Sequence, residues 1–414
     1  MVEEKRKWRF KEIVEDGDNW ARYQESYAGE VTEDQRSEVE KMLGCGDESN
    51  GFATYICLDC GASKRVGFSC KSRVCSSCGK VYADEWAAEL AGRLFNVTHR
   101  HITMTIASEL WPKLEENEAG RKVLFEAADA TLKEVMKCNP GIVVTLHPYG
   151  KDLKVNYHVH VLLSEGGMDE QGRWQAQSYI SYEKLRKVWQ YEVLTRLRSV
   201  LPATAENKAL IDQLFVKYPK GFYVNGEPKV KDGKGVGRYI GRYLRHPAIA
   251  DSRIVAYDGE AVTFVYKERK KPHMHCKQKL PVLEFIHGVV RHIPPKQFKM
   301  VRYYGLYALR KKALVKKLMQ QIGSMLGRGV RHLKWQARRL RDFHQDPLTC
   351  PRCRAPDMVL FALSVPWGGQ MFTLGGWNWL FARGDLIESP EPQDAYRVPP
   401  TPGPIQLPLF PLGV

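Results

Sequence analysis

Val155-Asn156-Tyr157-His158-Val159-His160-Val161-Leu162-Leu163 alternates in character residue by residue. Successive side chains of a strand point to opposite faces, so His158 and His160 share one face while Tyr157, Val159, Val161 and Leu163 share the other. The apolar face needs a core to cover it, and the other presents two adjacent imidazoles. The preceding run, Ile142–His147, is a second short strand, and Pro148–Lys154, with Gly150 and Asp152, makes a turn. A hairpin turning near Lys151 returns the chain so that His147 lies near Asn156–His158. A lone His-x-His reads most simply as two surface histidines. A third imidazole turns it into a platform for a divalent cation with positions open to phosphate oxygens, as Lewis-acid catalysis on a phosphodiester requires.

The surrounding sequence mixes strands and helices. His101–Ile106 alternates like a strand, and Trp111–Cys138 reads as one helix, with Leu114, Val123, Leu124, Ala127 and Leu132 at helical spacing and Asn139-Pro140-Gly141 as its stop. Helices are expected at Tyr82–Leu94, Tyr182–Ser199 and Ala205–Tyr218, then a Gly-rich loop at Asp232–Gly237 and a short helix at Arg238–Arg245. Strands follow at Ser252–Tyr257 and Ala261–Lys267; beyond Leu280 the chain reads as mostly helical and basic, and Glu388–Val414 as a Pro-rich extension. There is no βα periodicity, so the fold class is α+β around a mainly antiparallel sheet. In the short helix Tyr239 and Tyr243 stand at i and i+4 beside Arg238 and Arg242. Such a pair can simply pack on a sheet. A phenol with a pKa near ~10 is a poor nucleophile until a polarised phosphate and nearby guanidiniums favour its ionised form.

Six of the ten cysteines fall in the first 90 residues. Cys57-x2-Cys60 and Cys75-x2-Cys78 have the spacing of two knuckles that place four thiolates around one structural zinc. Cys45 and Cys70 are then left over, either for a shared two-metal cluster or for a second zinc that borrows ligands elsewhere. Cys350-x2-Cys353 could supply them or form a separate C-terminal site, while Cys138 and Cys276 read as ordinary thiols.

The net charge of +16 is local. From Tyr266 to Asp346 the chain carries 21 Lys and Arg against four acids, and the remainder is close to neutral. Phe298, Tyr303, Tyr304, Tyr307 and Trp335 are interleaved with Arg302, Arg310, Lys311, Lys312, Arg338 and Arg339, the ingredients of phosphate pairing and base stacking on a single strand. Arg65, Lys71 and Arg73 extend that chemistry to the cysteine loops. No apolar run approaches the ~20 residues of a membrane span, so a soluble cytoplasmic protein is expected, with no membrane partner and on the nucleoid when bound to DNA.

The cysteine pairs, the His-hydrophobe-His strand and the Tyr-x3-Tyr helix, in that order, resemble the two-tyrosine HUH transposases of rolling-circle insertion sequences, the insertion-sequence-91 type. The similarity covers about residues 45 to 320. It is carried by Ser69-Cys70-Lys71-Ser72-Arg73-Val74-Cys75-Ser76-Ser77-Cys78, Leu146-His147-Pro148-Tyr149-Gly150, His158 to Gly167, Tyr239 to Leu244, Glu284-Phe285-Ile286, His292-Ile293-Pro294 and Arg302-Tyr303-Tyr304-Gly305. Asn156-Tyr157 departs from the His-Pro or Asn-Pro expected before the histidine pair.

The resemblance, with the charge and cysteine readings above, gives an expected zinc-binding module at 1–95, an HUH nuclease domain with a central antiparallel sheet at 96–267, a basic helical region at 268–346 and a Cys-pair and Pro-rich tail at 347–414. It further implies a DNA transposase that nicks and rejoins single-stranded or hairpin transposon ends. His158 and His160, joined by His147, would bind Mg²⁺ or Mn²⁺, with Zn²⁺ structural at Cys45, Cys57, Cys60, Cys70, Cys75 and Cys78. Tyr239 and Tyr243 would form 5′-phosphotyrosine links. Arg238, Arg242, Arg302, Tyr303, Tyr304, Arg310, Lys311 and Lys312 would contact the strand. The alternatives are a plasmid relaxase or replication initiator with the same chemistry, or a non-catalytic zinc-ribbon protein that binds single strands; monomer and dimer both remain open.

Overall fold

A computed structural model describes residues 8–226, 248–267, 275–308, 340, 346, 348–356 and 358–376. The chain divides into two compact units: the larger comprises Met1–Asn50 and Gly67–Pro347, the smaller Gly51–Val66 and Leu348–Val414. The helices are α1 (Phe10–Glu15), α2 (Asn19–Ser26), α3 (Glu33–Leu43), α4 (Ser76–Arg93), α5 (Trp111–Glu116), α6 (Glu118–Met136), α7 (Tyr182–Val200), α8 (Ala205–Lys217) and α9 (Val282–Val290). The strands are β1 (Phe52–Ile56), β2 (Ser63–Gly67), β3 (His99–Thr105), β4 (Asn139–Tyr149), β5 (Val155–Met168), β6 (Trp174–Ala176), β7 (Val224–Gly226), β8 (Ile254–Tyr257), β9 (Ala261–Lys267), β10 (His275–Pro281), β11 (Val301–Gly305), β12 (Val359–Trp367) and β13 (Gln370–Gly375).

The main sheet of the larger unit has the order β11-β4-β5-β3-β7, with β6 attached to β5, and every pair is antiparallel. The fold class is therefore the expected α+β with antiparallel sheets. Tyr157, Val159, Val161 and Leu163 of β5, with Ile102 and Met104 of β3 and Ile142, Val144 and Leu146 of β4, pack beneath Phe125, Ala128 and Leu132 of α6 and Trp189, Val193 and Leu197 of α7. Full burial of each large aliphatic side chain contributes roughly 1.5–3 kcal/mol, so this face holds the sheet to its helices. On the opposite face, Trp86 and Leu90 of α4, together with Leu94, Phe95 and Tyr307, cover Val143 and Leu162.

A second core joins α1 to α3 with β8, β9 and α9 through Phe10, Val39, Phe264, Phe285 and Ile286. Leu153, at the tip of the β4–β5 hairpin with φ +64°, inserts into this core and anchors the turn. In the smaller unit the sheet order is β13-β12-β1-β2, around a small core of Cys57, Cys350 and Met358.

Four local expectations change. The helix read over Trp111–Cys138 is broken at Asn117, whose side chain caps α6 by accepting the Gly120 amide at 2.8 Å. Pro140 and Gly141, read as a stop, already belong to β4, where the Tyr307 ring lies 2.5 Å from the position a Cβ on Gly141 would take. The region after Leu280, expected to be mostly helical, contains β11, β12 and β13 among its described residues, because Val301–Gly305 pairs with the outer edge of β4 and β12 pairs with β1. Phe298 and Tyr307, counted above among rings available to bases, are buried in the cores instead.

Beyond Leu163, β5 carries a buried ion pair: Arg100 Nε of β3 donates to Glu165 Oε1 at 2.8 Å, and Nη2 also donates to the Ser178 carbonyl at 3.0 Å. Removing only the carboxylate, as in Glu165→Ala, leaves a buried guanidinium uncompensated and should cost about 3–5 kcal/mol in chemical denaturation. The apolar double substitution Arg100→Met/Glu165→Leu should recover most of that loss; a double variant as unstable as the single one would contradict this account.

Candidate metal centres

Register decides where the histidines go. His147 of β4 stands directly opposite His158 of β5, and His160 stands between Thr145 on one side and Thr103 on the other. The ring nitrogens of His147, His158 and His160 lie within 4.8 Å of one another, His147 and His158 half-buried and His160 buried. His158 Nε2 and His160 Nε2 are 3.2 Å apart. Two nitrogens each ~2.1 Å from one ion are separated by roughly 3.0–3.4 Å, so this pair has the spacing of shared ligands.

The second nitrogen of each β5 histidine is held. His158 Nδ1–H donates to the Asn156 carbonyl at 2.6 Å, which leaves Nε2 as the lone-pair donor. His160 Nδ1 lies 2.8 Å from His101 Nε2 and 3.3 Å from Thr103 Oγ1. For His160 Nε2 to bind a metal, Nδ1 must carry the proton and donate it to His101, whose own proton then sits on Nδ1; this tautomer is assigned from the chemistry. The Thr145 hydroxyl, opposite His160, is buried with no hydrogen-bond partner among the described residues, a polar atom suited to a ligand or water at this face. The donor set thus fits a divalent cation: three neutral imidazoles that leave coordination positions for oxygens.

His101 and Thr103 are functional candidates that the sequence reading passed over. The signal was present: His101, Thr103 and Thr105 alternate with Ile102, Met104 and Ile106, in phase with the histidines of β5. His99, on the same face, hydrogen-bonds the Tyr307 hydroxyl at 2.6 Å, and burial pushes it down to about 4, so it is neutral near pH 7.

The cysteines group differently from the spacing argument. Cys45, Cys70, Cys75 and Cys78 form one cluster, with Sγ separations of 3.7 Å for Cys45–Cys78, 3.6 Å for Cys70–Cys78 and 3.8 Å for Cys75–Cys45. A tetrahedral site with Zn–S of ~2.3 Å has an edge of about 3.8 Å, which these separations match. Cys57 and Cys60 are not partners of Cys75 and Cys78. They lie between β1 and β2 in the smaller unit, whereas Cys75 and Cys78 open α4 in the larger one, where Gly79 N donates to Cys75 O in the first helical turn. The cluster is backed by α3: Ser72 Oγ donates to the Glu38 carbonyl at 2.8 Å, and Ser72 N donates to Cys70 Sγ at 3.3 Å.

Of the residues expected at DNA, Arg302, Tyr303 and Tyr304 lie on β11. The Arg302 guanidinium stacks over Phe125 at 4.6 Å, Tyr303 packs beside the α4 core and Tyr304 against the α6–α7 core, so all three have structural duties. Tyr239, Tyr243, Arg238, Arg242, Arg310, Lys311 and Lys312 lie outside the described residues. Among the described residues no helix is long and apolar enough to cross a membrane.

Comparison with known proteins follows this division. A family described as "Putative transposase" matches residues 141–314, and one described as "Transposase zinc-binding domain" matches residues 17–106. The chain is 32% identical over 289 residues to the transposase for insertion sequence element IS801 of Pseudomonas savastanoi pv. phaseolicola, covering 66% of this chain and 70% of the relative. It is 24% identical over 376 residues to "Putative transposase y4qJ" of Sinorhizobium fredii, covering 83% and 93% of the two chains. No solved structure matches. These matches define a DNA-processing transposase with a structural zinc-binding domain in its N-terminal part. The chain belongs to the insertion-sequence-91 family of transposases.

The His101 contact has a measurable consequence. His101→Ala should weaken Mn²⁺ binding about 10–100-fold in calorimetric titration without unfolding the sheet, the usual scale for losing a group that orients a metal-binding imidazole. An unchanged affinity would show that His101 does not orient His160.

Proposed function

We propose that this transposase nicks and rejoins single-stranded transposon ends by tyrosine transesterification. The observation that supports this most directly is the convergence of His147, His158 and His160 on one sheet face, with His101 and Thr103 behind His160. These three histidines would hold Mg²⁺ or Mn²⁺, which supplies Lewis-acid polarisation of the scissile phosphate when bound. Cys45, Cys70, Cys75 and Cys78 would hold the structural zinc of the N-terminal domain.

Tyr239 and Tyr243 are the proposed nucleophiles. The phenol oxygen of one attacks the scissile phosphorus and its proton is released. The bond from phosphorus to the 3′ oxygen breaks, that oxygen leaves with the electron pair and takes up a proton to become a 3′-OH. The 5′ phosphate stays on the tyrosine. Attack of a 3′-OH on the same phosphorus reverses the exchange, releasing the phenol. One phosphodiester replaces another, so the bond energy is conserved and no nucleotide hydrolysis is required. Arg238 and Arg242 would stabilise the phenolate, and the basic stretch 268–346 would grip the strand through its phosphates.

Incubating the full chain with labelled single-stranded element ends and Mn²⁺ should give an adduct that survives SDS. Tyr239→Phe/Tyr243→Phe should abolish it, and His160→Ala should reduce it below detection while DNA binding persists. An adduct that survives the double tyrosine substitution would overturn the proposal. Strand affinity should fall with salt with a log–log slope of about −0.7 per phosphate contacted, whereas a flat dependence would remove the basic stretch from its assigned role.

A further inference from the structure

Once Cys45, Cys70, Cys75 and Cys78 are grouped, four of the remaining cysteines fall into a second cluster: Cys57, Cys60, Cys350 and Cys353, also with sulfurs within 4.8 Å of one another. We infer that these four bind a second structural zinc and that this ion clasps together a module whose two halves lie at opposite ends of the catalytic chain. Cys350 and Cys353 lie well beyond the residues matched by the zinc-binding domain, which stop at 106.

The geometry favours a metal. Cys57 Sγ is 3.5 Å from Cys353 Sγ, and Cys60 Sγ is 3.6 Å from Cys350 Sγ. These distances approach the ~3.8 Å edge of a tetrahedral zinc–thiolate site and far exceed the ~2.05 Å of a disulfide. The two loops also repeat one backbone design. Cys57 N donates to Ala62 O at 2.9 Å and Gly61 N to Cys57 O at 2.9 Å; Cys350 N donates to Ala355 O at 2.8 Å and Arg354 N to Cys350 O at 3.1 Å. Gly61 at φ +71° and Arg354 at φ +65° both occupy the left-handed region directly after the second cysteine. Arg354 adopts it without the freedom of glycine, which signals a constraint on the loop. Arg352 N donates to Cys350 Sγ at 3.4 Å, the arrangement that stabilises a thiolate. Each loop is one knuckle, and the two knuckles face each other across one cluster.

Apolar packing alone gives this unit little to stand on. Its described apolar cluster is Cys57, Cys350 and Met358, with Tyr55, Cys60, Ala62, Leu348 and Ala355 around them; the sheet adds only the small side chains of Ala53 and Ala362 to the buried apolar set, and all six residues of β13 are exposed. Small units of this kind need a staple, and the cysteine cluster sits where one is required. Cys60 and Cys350 are 290 positions apart. The clasp would therefore close the intervening transposase chain into a loop and tie the segment from Leu348 onward to the β1–β2 hairpin.

In a His158→Ala/His160→Ala background, which removes the histidine site from the count, the chain should contain two zinc ions by elemental analysis, and the further change Cys350→Ser/Cys353→Ser should leave one, with protease cleavage newly concentrated in 348–376. A single ion in that background, or two after the cysteine change, would refute the clasp. Cys353→His, which keeps a metal ligand at an exposed position, guards against general misfolding. In the same background it should retain two ions while losing part of the thiolate-to-metal absorption after cobalt substitution, and an unchanged cobalt spectrum would show that Cys353 is not a ligand.

Discussion

A strand paired along both edges cannot rotate about its axis, and the histidine face of this protein depends on that constraint. β5 is hydrogen-bonded to β4 and to β3, so period two alone sends Tyr157, Val159, Val161 and Leu163 into the helix-covered core and His158 and His160 to the other side. A slip of one residue would exchange the two sets, placing imidazoles under α6 and α7 and apolar side chains on the histidine face. The apolar core thus fixes the histidines without touching them. Leu153 secures the register from the hairpin end, because its left-handed turn is held by burial in the second core.

The same logic explains what was legible in the sequence. His147 opposite His158 could be read from one alternating strand, one turn and the length between them, all local quantities. The alternation of His101 and Thr103 was visible too, but not its partner, because α5, α6 and β4 separate β3 from β5 along the chain and nothing local ties the three strands in phase. The cysteines misled for a related reason: Cys57-x2-Cys60 and Cys75-x2-Cys78 have a plausible zinc spacing, yet one knuckle sits on a hairpin and the other opens a helix. Their true neighbours are Cys350 and Cys353 in one case and Cys45 and Cys70 in the other. Phe298 and Tyr307 show the limit of composition, since an aromatic ring among cations looks the same in sequence whether it meets a base or a core.

Burial also shapes the charge of the histidine-rich region. His99, on the histidine face, and His292, against Tyr149 at the end of β4, are both pushed by desolvation down to about 4, and the second also donates Nδ1–H to the Gly288 carbonyl at 2.7 Å. Neither adds a cation near neutral pH, so neither repels a metal ion. Their protonation on acidification would work against folding: in the unfolded chain each titrates near 6.5, so the stability they contribute is whole above that value and falls as pH drops toward 4.

The neutrality of the ligand set has a consequence for the proposed chemistry. Among the described residues the group around His147, His158 and His160 contains no carboxylate. Carboxylate ligands would cancel part of a dication's charge within the protein, whereas three imidazoles leave it in full for the phosphate that enters. The acidity needed for the proposed phosphodiester exchange would then come from the bound dication, while the basic stretch Tyr266–Asp346, some of whose described cations are engaged within the fold, as Arg302 is over Phe125 and Lys279 with Asp258, would act on the length of the strand. In the proposed chemistry, holding and cutting would fall to different parts of the chain: the first to long-range attraction that salt screens, the second to direct coordination at short range, which salt screens far less.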